Sequence, residues 1–409
     1  MVRPMRLLFL TNVFPNPWQP AKGSFNLSMV RALAKQHSVR VVSPVAWVDE
    51  WNALSSGESA LGAKSRRLDL DGLDVVYPRY YYPPKVLRTG YGWFLWHSVR
   101  STVLASLDEH RPDAVISYWA HPDGAVALRA ARLAGVPAVV IVGGSDVLLL
   151  TGHRGRRRRI LDVLHTADAV VTVSRHLMTK VLALGVPPEK VHVVYRGVDR
   201  ELFSPGDRLA ARRRLGIPPE RKMVLWVGRM VPVKGLDVLL EACKRLQRQG
   251  IEPLVHLLGD GPLRTTLVAR GRYLGLKNVV FSDGAVSQND LPTWYRAADL
   301  TVLPSRSEGV PNVLLESLAC GTPFVASAVG GVPEIGGKDR SGLVAADDPE
   351  ALAEAMQRAL GGEGAVCGAL HEPASWESSA EGLSAVIESL VQSDAPRRAI
   401  QPNAIPSRV

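Results

Sequence analysis

MVLWVGRMVPVKGLDVLLEACKRLQRQGIEPLVHLLGD, residues 223–260, holds one full period of the pattern that decides the fold. An unbroken apolar run, MVLWV, ends at a glycine, and a loop carrying Arg229 and Lys234 follows. From Gly235 apolar residues return at helical spacing, and a second apolar run, LVHLL, closes on another glycine. A run without apolar/polar alternation is a strand covered on both faces, so a helix between two such strands predicts a parallel βαβ unit. Further along, NVVFS, LTVLP and PFVAS repeat the strand signal, with helical stretches LRTTLVARGRYLG, NDLPTWYRAA and NVLLESLAC between them. On the N-terminal side the Pro-, Gly- and Arg-rich connection FSPGDRLAARRRLGIPPERK, residues 203–222, interrupts the pattern. Before it, MRLLFLTN, HSVRVVSP, DAVISYW, PAVVIVG, DAVVTVS and KVHVVY alternate with helices such as SFNLSMVRALAKQ. The expected fold class is α/β, with two doubly wound Rossmann-like domains of similar size facing a central cleft. Their expected extents are 1–205 and 206–375, followed by a helix over 376–392 packing back on the first domain and a disordered tail over 393–409.

With 409 residues, 46% of them hydrophobic, the chain has apolar material for a core in each domain, which excludes a disordered or fibrous protein. Cys243, Cys320 and Cys367 are scattered and lack CxxC spacing, so neither a disulfide framework nor a structural zinc site is expected, and the cytoplasm is the default compartment. The apolar run Leu7–Leu10 is too short for a signal h-region, and no run reaches the ~18 residues of a membrane span. A net charge of +10 points to anionic partners.

In open parallel sheets ligands sit beyond the carboxyl ends of the strands, so the chemistry should lie in the loops just after them. Arg229 and Lys234 follow one strand and precede a helix start, where fixed charge, free backbone N–H groups and the helix dipole together suit a diphosphate. Gly259 and Gly261, in LGDGPLR, leave room for a ligand or make an ordinary tight turn; the full GxGxxG is absent. In PSRSEGVPNVLLESLACGTPFVAS, residues 304–327, Glu308 lies in the loop and Glu316 about one turn into the next helix. Spacing leaves two readings of Glu316 open: a buried carboxylate with hydrogen-bonding partners such as sugar hydroxyls, or a solvent-facing residue on one stripe of the helix. In the first half, His121 in YWAHPDG, the GGSD run Gly143–Asp146, and Gly23 occupy corresponding strand-end positions.

GRMVPVKG, SEGVPNVLLESLACGTPFVAS with seven residues between its two glutamates, and AVGGVPEIG together resemble the family 4 retaining glycosyltransferases of GT-B fold. VSRHLMTKVLALGVPPEKVHVVYRGVDRELF is similar to that family's connection between domains, and LFLTNVFPNP, YWAHPDG and GGSDV resemble the teichuronic acid biosynthesis type. The resemblance implies transfer of a hexose from a nucleotide-sugar donor, UDP- or GDP-linked, to a surface-polysaccharide or lipid-linked glycan acceptor, with no further cofactor and no metal. It implies that Arg229 and Lys234 clamp the donor diphosphate, Glu316 binds the ribose and Glu308 the transferred sugar. Gly309, Val310 and Asn312 would touch that sugar, with His121 and Gly23 closing over it; Glu308, His121, Arg229 and Lys234 form the implied catalytic set. The donor belongs on the second domain and the acceptor on the first, near Ser145 and Asp146. Arg196 in YRGVD departs from the family, in which many members have Asn before that glycine.

Four rivals need weighing. Asp69 and Asp71, in DLD, have the letters of a metal-binding pair but follow a basic polar stretch and read as a turn. A nucleotide-sugar epimerase of the same architecture would need acid/base residues at the sugar, for which no convincing set exists; a transferase acting on a soluble small-molecule acceptor is the other enzymatic alternative. HRGRRRR, residues 153–159, prompts a binding module, but no nucleic-acid motif accompanies it, and no nucleic-acid partner is expected. Those arginines with Trp93, Phe94 and Trp96 instead predict peripheral attachment to the anionic inner face of the plasma membrane.

Overall fold

The computed structural model describes residues 3–55, 66–282, 284, 286–336, 340–365 and 374–399, of which 394–399 by backbone alone. It forms two compact units, one of residues 1–195 with 376–409 and the other of 196–375.

The first unit is built on an eight-stranded sheet, whose members include β1 (Arg6–Leu10), β2 (Ser38–Val42), β4 (Arg67–Leu70), β5 (Leu73–Val76), β7 (Ala114–Tyr118), β8 (Ala138–Val142), β9 (Ala169–Thr172) and β10 (Val191–Val193), in the order β10-β9-β8-β7-β1-β2-β5-β4. All neighbours are parallel except β4 with β5. The runs that read as doubly covered strands are so: every residue of β7, β8 and β9 is buried. The antiparallel β4–β5 hairpin closes at Asp71 and Gly72, both with positive φ (55° and 85°), as a two-residue turn that follows the strand twist requires. That turn is where DLD lies: Asp69 accepts from the Gly72 N–H and Asp71 pairs with Arg31. A small pair, β3 (Val45–Ala46) with β6 (Arg79–Tyr80), lies beside the main sheet.

The second unit holds six parallel strands, β11 (Met223–Val227), β12 (Leu254–Leu258), β13 (Val279–Phe281), β14 (Leu300–Leu303), β15 (Phe324–Ser327) and β16 (Leu343–Val344), in the order β13-β12-β11-β14-β15-β16. This is the doubly wound order, counting out from β11 in one direction and then in the other. Its core gathers Trp226, Leu239, Leu300, Leu314, Phe324 and Met356, all fully buried.

The division falls ahead of residue 205. Val198 donates to the Ala374 carbonyl at 2.8 Å, and Phe203 packs edge-on against Tyr295, so the segment from Arg196 is fastened to the second unit before the composition changes. The Trp376–Ala399 helix returns to the first unit and packs on the Ser24–Ala34 helix. Lys35 pairs with Glu377 at 2.6 Å, His37 with Ser384 at 2.9 Å, and the Ser379 hydroxyl donates to the Tyr195 carbonyl at 2.7 Å. The helix runs past Ser393, whose hydroxyl donates back to the Leu390 carbonyl at 2.8 Å, and so includes residues expected in a tail; 400–409 lie outside the described residues.

Candidate active site

β11 is the switch point of the second sheet, so the loops after β11 and β14 rise side by side at its carboxyl end. There they meet: Lys234 Nζ donates to Glu308 Oε1 at 2.6 Å, with the Glu308 side chain 9% exposed and that of Lys234 23%. Arg229, from the same loop as Lys234, is exposed and has no ion-pair partner among the described residues. Two cations and one carboxylate thus share the crevice that the doubly wound order predicts as the ligand site.

The scaffold under these side chains is a dense set of backbone contacts. Arg306 makes a two-pronged contact with Asp237 (3.0 and 2.7 Å), reaches Asp347 at 2.6 Å, and donates to the Pro232 and Val233 carbonyls at 2.6 and 2.8 Å. It therefore ties the Lys234 loop to the Glu308 loop; the Arg306 guanidinium also holds the Asp237 carboxyl below its ordinary range. Gly331 donates to the Gly309 carbonyl at 2.8 Å, and Gly330, at φ 56°, lies so close that a Cβ there would stand 1.8 Å from the Glu308 carbonyl oxygen. The AVGG run thus serves as a platform for Glu308. Gly259 and Gly261 turn out to be crowded by backbone, at Gly228 and Met230, which supports the tight-turn reading of that loop. Arg196 occupies the helix entrance: its Nη1 donates to the Val310 carbonyl and to Asn312 Oδ1, both at 3.1 Å.

Glu316 resolves in favour of burial. It lies within the Asn312–Ala319 helix, 7% exposed, with Oε2 accepting from the Tyr295 hydroxyl at 2.9 Å and Oε1 from Gln288 Nε2 at 3.3 Å. Burial pushes its carboxyl up to about 7, against the pull of those two hydrogen bonds.

The first unit has its own switch point, between β1 and β7. Trp119, at φ 83°, bends the chain sharply after β7. His121 beyond it is 6% exposed; its Nε2 accepts from the Gly92 N–H at 3.3 Å, so the ring proton resides on Nδ1. Burial, and then the charges of Arg156 and Arg159, lower the His121 pKa to about 4, so this imidazole is neutral at neutral pH. Asp123, two residues on, is fully buried: one oxygen accepts from the Asn12 N–H at 2.8 Å, the other has no partner among the described residues, and burial raises its carboxyl to about 7. Gly23 directly precedes the Ser24–Ala34 helix in the neighbouring loop. Asp146 is anchored in the loops after β7 and β8. It is fully buried and its oxygens accept from the amides of Gly143 (3.2 Å), Gly144 (3.0 Å) and Ala120 (3.2 Å), so it shapes the strand-end loops, while Ser145 is exposed. Tyr295, Gln288, Arg306 and Asp123 were not singled out from the sequence. Asp237, in the first turn of a helix just after the Lys234 loop, was the one legible signal of the Arg306 clamp.

Two Rossmann-like units, the second with paired cations and two glutamates at its switch point, define the glycosyltransferases of GT-B fold. Residues 207–365 match the family model described as Glycosyl transferases group 1, and residues 23–202 the model described as Glycosyltransferase Family 4; the chain belongs to the glycosyltransferases that these two models describe. A teichuronic acid biosynthesis glycosyltransferase, TuaC of Bacillus subtilis, is 29% identical over 87% of this chain and 89% of its own length. A D-inositol 3-phosphate glycosyltransferase of Catenulispora acidiphila is 40% identical over 205 residues, and the chain spans about half the length of that relative (48%). The Anabaena protein HepE, solved with UDP-glucose, superposes with a TM-score of 0.66 at 19% identity, over 97% of this chain and all of the other.

Proposed function

We propose that the chain is a retaining hexosyltransferase that takes its sugar from a UDP- or GDP-linked donor held by residues 196–375 and passes it to a surface-polysaccharide or lipid-linked glycan held by the first unit. The observation that carries this reading is the Lys234–Glu308 pair at the switch point of the second sheet, with Arg229 exposed beside it and Glu316 buried one turn into the next helix. The UDP-glucose complex of HepE supports the donor class. A diphosphate entering the crevice competes for Lys234, freeing Glu308 to accept from hydroxyls of the sugar. Arg229, Lys234 and the N–H groups that open the Asn312–Ala319 helix then stabilise the charge growing on the departing phosphate. In the transfer the bond between the anomeric carbon and the phosphate oxygen breaks while a bond to the acceptor oxygen forms on the same face, and the acceptor proton passes to the phosphate. Glu316 holds the ribose. Incubation with UDP-, GDP- and ADP-sugars should release nucleotide and give a product of unchanged anomeric configuration. An inverted product would refute the same-face step, and no turnover of any donor would refute the transferase assignment.

The acceptor proposal includes the inner face of the plasma membrane. No helix among the described residues is long and apolar enough to cross a membrane. Trp93, Leu87 and Val86 are exposed, as are Arg154, Arg157, Arg158 and Arg159, and this mix suits a headgroup region, whereas Phe94 and Trp96 are half-buried against the core. Pelleting with anionic vesicles, weakening with salt and on replacement of those four arginines by Ser, is the expected result; no pelleting at low ionic strength would favour a soluble acceptor.

A further inference from the structure

Glu316 is a costly residue for the place it occupies. Tyr295, fully buried, needs an acceptor for its hydroxyl, and a backbone carbonyl or a side-chain amide would serve without taking a carboxylate out of water. The carboxylate is there all the same, with the Tyr295 hydroxyl donating to Oε2 at 2.9 Å and Gln288 Nε2 to Oε1 at 3.3 Å. A carboxylate offers roughly four acceptor sites, shared between its two oxygens. One protein donor on each oxygen therefore leaves each oxygen able to accept once more, side by side, which is the pattern that receives two hydroxyls on neighbouring carbons.

Both donors are fixed by the chain around them, and they ride on one segment. Gln288 lies in a turn closed by the Ser287 carbonyl, which accepts from the Asp290 and Leu291 N–H groups at 3.1 and 3.3 Å, and this turn leads into the Leu291–Ala297 helix that carries Tyr295. The Tyr295 ring stands edge-on to Phe203, 6.0 Å between centroids, and its carbonyl accepts from the Thr322 hydroxyl at 2.6 Å. Thr322 is tied in turn to the helix of Glu316: the Ser317 hydroxyl donates to the Thr322 carbonyl at 2.8 Å, and the Thr322 N–H to the Ser317 carbonyl at 2.9 Å. Tyr295, Thr322, Ser317 and Glu316 thus close a circuit of contacts through the core. The carboxylate is held at both oxygens before any ligand arrives, so little ordering is left to be done on binding.

We propose that Tyr295 and Gln288 are positioning residues that hold Glu316 as a two-pronged acceptor for the vicinal hydroxyls of a ribose, and so restrict the donor to ribonucleotides over 2′-deoxyribonucleotides. The proposal rests on the assignment of Glu316 to the ribose above and extends it to the choice of nucleotide class.

Calorimetric titration of UDP and GDP, each against its 2′-deoxy counterpart, into wild type, Tyr295→Phe, Gln288→Leu and Glu316→Gln tests it. Wild type should prefer the ribonucleotide by about 10- to 100-fold, the range of one hydrogen bond to a charged group. Tyr295→Phe and Gln288→Leu should each bring that preference to within about threefold, while affinity for the 2′-deoxynucleotide stays at the wild-type value, because only the hold on the ribose is lost. A merely structural role would lower both nucleotides alike and keep the preference, and that result would overturn the proposal. Should Tyr295→Phe fail to fold, Gln288→Leu carries the same test from a half-buried turn. Glu316→Gln separates the two readings. If it removes the preference while the two positioning variants keep it, the ribose assignment stands and this proposal falls; if it too keeps the wild-type preference, the ribose assignment falls first.

Discussion

At Glu316 a carboxyl group is buried with one hydrogen bond on each oxygen, and its acid constant is moved from 4.5 to about 7. The sign of the consequence follows from which state holds the proton. Below the unfolded value both states are protonated and nothing is lost; as pH rises from there to about 7, the unfolded chain releases the proton and the folded chain keeps it, so folding is progressively weakened. Glu316→Gln should therefore remove a destabilisation of up to about 3 kcal/mol that wild type acquires across that window, read from melting curves at several pH values. A variant whose melting temperature tracks wild type at every pH would contradict the buried, proton-holding carboxyl. Glu308 and Glu316 should also fail differently in catalysis. A ribose contact is made equally in ground and transition states, so Glu316→Ala should weaken nucleotide binding, whereas Glu308→Ala should lower kcat with a smaller effect on binding. Equal affinity for free nucleotide in wild type and Glu316→Ala would sink the ribose assignment. The positions of these glutamates after a strand and inside a helix were legible, because strand and helix periods locate them. Their partners were not: Tyr295 and Gln288 come from another segment, and a hydrogen bond between segments leaves no periodic trace.

Among the elements, the loop after β15 shows how much of the site is backbone. Gly330 has positive φ, and its missing Cβ is what lets the loop touch the Glu308 carbonyl. Gly330→Ala should lower stability by about 1–2 kcal/mol from the left-handed conformation alone, more with the clash, and should weaken donor binding through displacement of Glu308. Melting and nucleotide titration on the one variant check both, and unchanged binding would show that the platform is dispensable. The Trp376–Ala399 helix is the other decisive element, because Leu383 and Ile387 are fully buried in it. Leu383→Ala should cost about 2–5 kcal/mol, measured by urea unfolding, and a loss below about 1 kcal/mol would mean that the helix is not part of the core. Long apolar runs made most main strands readable, since burial on both faces erases alternation. The β3–β6 pair was not readable, because two residues per strand carry no period, and the second compact unit begins at Arg196, ahead of the change in composition, because Arg196–Phe203 is anchored by hydrogen bonds and one ring contact. Arg196 belongs here too: its departure from the family was visible, but only the structure joins it to Val310 and Asn312.

For the whole molecule the central claim is that the second unit binds a nucleotide diphosphate through fixed protein cations. Calorimetric titration of UDP-, GDP- and ADP-sugars into wild type and Lys234→Gln, in the presence of EDTA, tests it most directly. A sugar nucleotide's phosphates do not change ionisation near neutral pH, so the reading is of binding alone. Wild type should bind at least one of the three without divalent metal, and the variant should lose about 1.5–3 kcal/mol, roughly ten- to a hundredfold in affinity, because a charge-assisted contact is removed. Equal affinity in the two proteins, or binding in wild type only when a divalent cation is restored, would contradict the account.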